Sequence, residues 1–263
     1  LARLSRYYYL HNARNELLIN HAVASLVRVS PNNKETVVTT MTGQQLSLQV
    51  PDSNFSSFRF RSQKLQPTLG CAKIIKSNQL ACGGTWHLID RVLVKPDKNV
   101  MELIQEDYTL VEFAKLLKRT GLDEVLKDRN FSGTVLAPSS HSLDNHILKD
   151  TDEELEELKT FLMQHILTAK TCCHSIGTRN WFDINRHETM AEGIYLLSHG
   201  RTARQTIGGA DIISCDNLGT NGILHTISRP ITQNSNRMLS LTDIFNGLAV
   251  PRNSRLQSVK YLF

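Results

Sequence analysis

From Asn99 the chain reads NVMELIQEDYTLVEFAKLLKRTGLDEVLKD, where Leu110, Phe113, Leu116 and Leu117 recur at the spacing of one helical face. Gly121 follows as the stop signal of that helix. GTVLAPSS, Gly133 to Ser140, is an apolar run ended by Pro138 and predicts a short buried strand. TDEELEELKTFLMQHIL then starts with a capping box, Thr151 with Glu154, and predicts a second helix running toward His165. From about residue 180 β-branched and turn residues take over, and the last strands predicted are ADIIS from Ala210 and GILHTIS from Gly222. Helices gathered early and strands gathered late make the expected class α+β.

The late strands have a second copy upstream. AKIIKSNQLACGGTWHLIDRVL from Ala72 lies over ADIISCDNLGTNGILHTISRPI from Ala210 without a gap, at an offset of 138 positions. The shared residues are Ala72/Ala210, Ile74/Ile212, Ile75/Ile213, Leu80/Leu218, Gly84/Gly222, His87/His225, Ile89/Ile227 and Arg91/Arg229. ELLINHAV around His21 and TFLMQHIL around His165 align at an offset of 144, and the difference is what a change in loop length produces. A period this long signals tandem whole domains, not a solenoid of small units.

The organisation expected is therefore one domain over 1–95, a second over 97–232, and residues 233–263 as a tail or the start of a further repeat. The counterpart of TVLAPSSHSL, 144 positions upstream, falls before residue 1, so 1–95 is expected to lack the opening helices and first strand. In the last segment Met238 to Val250 resembles an opening helix, with Leu241 and Leu248 in the places of Leu103 and Leu110; a simple tail helix is the alternative. The chain begins at Leu1 instead of Met, as a piece of a longer protein would.

Composition changes this picture little: 263 residues, 40% hydrophobic and 21% charged, is ordinary globular material. No apolar run approaches the roughly 18 residues that cross a bilayer. The net charge of +5 comes from scattered Lys and Arg. Without dense basic runs or interleaved aromatics this argues against nucleic acid, leaving an ordinary solvated surface or a diffuse attraction to polyanions such as glycosaminoglycans. Tyr7, Tyr8 and Tyr9 read as a packed or frayed edge.

The five cysteines, Cys71, Cys82, Cys172, Cys173 and Cys215, form no CxxC motif. TCCHS places Cys172, Cys173 and His174 side by side, but adjacent residues seldom point at one ion and no second cluster supplies further ligands, so neither metal nor cofactor is expected. In an oxidising compartment the pairings expected are Cys71 with Cys82, and Cys172 or Cys173 with Cys215. Asn54 and Asn130 head the sequons Asn-Phe-Ser and would carry glycans in a secreted chain.

TVLAPSSHSL, FLMQHIL and NGILHTISRPI, in that order, resemble the motifs of the fasciclin domain, an extracellular adhesion module. The resemblance covers 99–232 and, without its opening, 1–95. It implies tandem domains, each a β-wedge packed with helices, in a secreted or cell-surface protein that binds matrix components or receptors. The first repeat departs by carrying Gly83-Gly84 where the second has the family's Asn221-Gly222 pair. The resemblance also points to Asp211-Ile212, just before the Asn-Gly strand, as an integrin-recognition dipeptide. There an exposed carboxylate would complete a receptor-held cation while the aliphatic neighbour packs beside it.

His225 and its counterpart His87 stand within apolar strands, where an imidazole that bonds to neighbouring backbone is an architectural part. His21 and His165 each follow a helical apolar stretch, where a ring nitrogen can satisfy a helix-end carbonyl. No GxSxG elbow or carboxylate pair accompanies them, so a non-enzymatic protein is expected. The rival readings are a structural matrix spacer with no discrete receptor, and a hydrolase using Ser139 or Ser140 with a histidine.

Overall fold

The computed structural model describes residues 15–30, 35–50, 66–143, 152–176, 185–201 and 204–232. The first repeat contains helix α1 (residues 15–19). Its strands are β1 (Glu35–Thr39), β2 (Gln45–Gln49), β3 (Thr68–Leu69), β4 (Ala72–Ala81) and β5 (Gly84–Ile89), which form one antiparallel sheet in that order.

The second repeat opens with α2 (Val100–Glu106), α3 (Val111–Arg119) and α4 (Leu122–Lys127). Strand β6 (Gly133–Pro138), α5 (Ser140–Leu143), α6 (Asp152–Met163), β7 (Ile166–Leu167) and α7 (Cys173–Ile176) follow. The chain then runs through β8 (Asn185–Glu188), β9 (Tyr195–Arg201), β10 (Arg204–Ile207), β11 (Ala210–Leu218) and β12 (Gly222–Ile227). The sheet order is β7-β6-β12-β11-β10-β9-β8, with β12 parallel to β6 and antiparallel to β11.

The opening helical pattern breaks into pieces because its polar residues cap. Asn99 and Glu102 form a reciprocal capping box at the start of α2, the side chain of each accepting the other's backbone N–H. Asp107 then accepts the Thr109 N–H at 2.8 Å and starts a 3-10 turn, Tyr108–Leu110, before α3 begins. Gly121, at φ +70°, ends α3 in the left-handed conformation that a side chain would resist. Thr151 of the expected capping box, Tyr7 to Tyr9, Asn54 and residues 233–263 lie outside the described residues.

The second repeat buries apolar side chains on both faces of β6 and β12. One core joins these strands to α2, α3, α4 and α6 through Val100, Phe113, Leu117, Leu162, Val135 and Leu224. The other, on the far side, holds Leu136, Leu196, Ile207 and Ile227. Among its described residues the first repeat has a counterpart of that second core alone, Val38, Leu48 and Ile74 with Ile89 packed against them. Every residue of β12 is buried, whereas β5 alternates exposed and half-buried. Among the described residues β5 forms the edge of its sheet, on the side where β12 pairs with β6.

Candidate functional site

The matched histidines make matched bonds. His225 Nδ1 accepts the Asp216 N–H at 2.9 Å and its Nε2 donates to the Thr171 carbonyl at 2.8 Å. In the first repeat His87 Nδ1 accepts from Asn78 N at 3.2 Å and Nε2 donates to the Val27 carbonyl at 3.1 Å. The other pair uses the opposite tautomer. His165 Nδ1 donates to the Phe161 carbonyl at 2.8 Å and Nε2 accepts from Ile231 N at 2.9 Å. His21 does the same with Leu17 and Leu93, at 2.8 and 2.9 Å. Each ring has one accepting and one donating nitrogen, and both are committed to backbone, so each is bound as the neutral form.

Burial reinforces that state where it is deepest. His165 is fully buried, and desolvation lowers its pKa to about 4, the bond to Phe161 opposing only in part. Desolvation likewise lowers that of His225. Neither ring has a nitrogen left for a substrate proton. Ser140, one of the two serines considered as a nucleophile, accepts the Glu112 N–H at 3.1 Å near the start of α3.

Asn221 works as a three-way staple. Its Oδ1 accepts from Val100 N at the head of α2, and its Nδ2 donates to the carbonyls of Leu126 and Asp128 at the end of α4. A side chain on Gly222 would meet Gly133 O and Val100 Cγ2 at 2.8 Å, so the strand approaches its neighbours as only glycine permits. A side chain on Gly84, the counterpart, would meet nothing within 4 Å. Gly83 replaces Asn221 in a repeat whose described residues contain no counterpart of α2 or α4.

Asp211 is half-buried near the start of β11, its N–H donating to Ser228 Oγ at 3.1 Å and its carbonyl accepting from Ser228 N. Ile212 is half-buried and leans on the far-side core, and the Asp211 that the dipeptide reading expects exposed is half-buried too. The exposed isoleucine is Ile213, 63% accessible. Asn130 is exposed in the turn after α4.

The disulfides overturn the expected Cys71–Cys82 pairing and agree with one of the two alternatives for Cys215, that with Cys173. Cys71 bonds to Cys172 across the two repeats, Cys173 bonds to Cys215 within the second, and Cys82 is a free, exposed thiol. Cys71 and Cys82 flank the ten-residue strand β4. An extended strand of that length separates its ends by roughly 30 Å, far beyond disulfide reach. The adjacent sulfurs of Cys172 and Cys173 thus go to different partners. Sequence reasoning also missed Arg91, whose Nη1 reaches Asp216 Oδ2 of the other repeat at 2.7 Å. The available signal was the mismatch of Asn78 with Asp216 beside the matched pair Arg91 and Arg229.

Two copies of a sheet braced by backbone-bound histidines, one copy carrying a helical cap, define a tandem α+β module. The fasciclin-domain model matches residues 5–95 and 109–233, and the chain belongs to the fasciclin-domain family. It is 29% identical to the transforming growth factor-beta-induced protein ig-h3 of Oryctolagus cuniculus, over 66% of this chain and 25% of that protein. It is 26% identical to periostin of Homo sapiens, over 64% of this chain and 20% of that one. With Fasciclin-1 of Schistocerca americana the identity is 28%, over 60% and 26% of the two chains. A solved FAS1 domain pair from the insect cell adhesion molecule fasciclin I aligns at 16% identity with a TM-score of 0.45, covering 86% of this chain and 82% of that one. The chain thus spans about a quarter or less of the ig-h3 protein and periostin.

Proposed function

We propose that the chain is a non-enzymatic adhesion unit of the extracellular matrix or cell surface, with its modules at 1–95 and 97–232. Family membership carries this reading. Two supports stand beside it. Two disulfides suit an oxidising, extracellular compartment. The four matched histidines are committed to backbone bonds, a role in architecture and not in turnover. No helix among the described residues is long and apolar enough to cross a membrane. Among the described residues Asn130 is an exposed sequon that can carry a glycan.

The partner we propose is an integrin-type receptor, contacted by Asp211 with Ile213 supplying the exposed aliphatic surface beside it. A carboxylate completing a receptor-held divalent cation cannot be replaced by its amide without loss of charge at the metal. Cell attachment to surfaces coated with the chain tests this. Asp211→Asn should lower attachment severalfold with the fold intact, and chelation should bring the wild type down to the same level. Attachment that ignores both changes but falls steeply between 0.1 and about 0.5 M salt would instead assign adhesion to glycosaminoglycans on the basic surface.

A further inference from the structure

Where the long strand is interrupted the two copies carry Asn78 and Asp216, which differ at one side-chain atom, and that difference joins the repeats. In the first repeat Asn78, at φ +54°, interrupts β4. Its Oδ1 accepts from Val29 N at 3.0 Å and its Nδ2 donates to Val29 O at 2.8 Å, so the amide closes a ring within its own repeat. Asp216 holds the same place in β11, at φ +57°. Its Oδ1 accepts from Cys173 N at 2.8 Å, the counterpart of the Val29 bond. A carboxylate has no hydrogen for the second bond. Its other oxygen instead takes Arg91 Nη1, from just past β5 of the first repeat. The Asp216 side chain is 2% exposed, so its charge is withdrawn from water and Arg91 serves as the counterion.

The covalent link lies next to this pair in sequence. Cys71, at the head of β4, is bonded to Cys172, the neighbour of the Cys173 whose amide Asp216 holds. Cys71 and Cys172 pack with Ile223 and Leu218. Neither part belongs to the fold as such. Gly209 stands where a second Cys71 would be, and Arg229, the counterpart of Arg91, folds back onto the Gly209 carbonyl of its own repeat.

We propose that Arg91–Asp216 and Cys71–Cys172 form a two-point clasp that fixes the orientation of the first repeat on the second. A single disulfide is a pivot about which two bodies still turn. A second, directional contact off that axis removes the turn. Asp216 is the positioning residue, and the replacement of amide by carboxylate at the interrupted strand is what frees an oxygen for the neighbour.

The test is the inter-repeat distance distribution by pulsed electron resonance. Nitroxides are carried on keto amino acids at Val37 and Tyr108, both exposed and on different repeats. The wild type should give one narrow distance. Asp216→Asn, which can bond Cys173 as Asn78 bonds Val29, should at least double the width while the amides of β12 keep their protection. Arg91→Leu should broaden it equally, and the two changes together no further. Adding Cys71→Ser and Cys172→Ser to Asp216→Asn should abolish a defined distance. An unchanged width in Asp216→Asn overturns the clasp. So does broadening that appears only with lost β12 protection, since Asp216 would then serve its own repeat.

Discussion

Leu18 and Leu162 hold the same position in two copies of one fold, yet Leu18 is 70% exposed and Leu162 0%. Trp86 and Leu224 repeat the contrast, at 48% and 1%. The hydrogen-bonded frame does not share it: His21 and His165 bind the same backbone atoms, as do His87 and His225. The frame ties a helix end, a strand interruption and the strand that follows it together within each repeat. The apolar seal comes from a separate layer, α2 to α4 and β6, which has no counterpart among the described residues of the first repeat. Hydrogen bonding thus defines the shape of the module, and the helical layer supplies most of its burial.

The largest expected contrast comes from truncating the matched leucines. Leu162→Ala should cost about 2–5 kcal/mol, the range for a fully buried leucine. Leu18→Ala, at an exposed position, should change stability by less than about 0.5 kcal/mol. Urea midpoints for both variants measure the difference, and equal losses would break the comparison.

Acid should discriminate next. The unfolded chain protonates His165 near its ordinary pKa of about 6.5, whereas the folded chain resists until about 4. Unfolded molecules therefore bind the proton first, so stability is full above about pH 6.5 and declines as pH falls toward 4. A shift of this size corresponds to on the order of 3 kcal/mol. His225 adds to the loss in the same direction. Denaturation of the second repeat with a midpoint constant from pH 7.5 to 4.5 would contradict it.

The staples give a smaller contrast. His225→Ala should cost about 1–3 kcal/mol, because the Asp216 amide and Thr171 carbonyl lose a buried partner. His87→Ala should cost less, since its bonds are half-buried or exposed and water can replace the ring. Thermal melts of the two variants decide this. A His225 variant with unchanged melting temperature and abolished adhesion would transfer that residue to the binding site.

Much of this asymmetry is legible in the chain itself. The repeat offset picked out the histidines, and Gly121 marked the end of α3. What escaped depends on side chains meeting across long separations. Cys71 and Cys172 lie 101 residues apart and only the packing of one repeat on the other brings them together. The choice between Ile212 and Ile213 escaped for a different reason: β11 pairs with β12 through register shifts, so simple alternation does not say which isoleucine faces the core. Asp107 broke the opening helix through a local cap, a signal present in its spacing to Thr109 but outweighed by the apolar periodicity around it.

Amide hydrogen exchange on the intact chain, read strand by strand, tests the central claim most directly. A two-sided core should give β6 and β12 the slowest exchange in the molecule, near the limit set by global unfolding. β4 and β5, sealed on one face only, should exchange faster by at least about two orders of magnitude, equivalent to roughly 3 kcal/mol. Equal protection of β5 and β12 would contradict the account, because the hydrogen-bonded frame would then suffice without the helical layer.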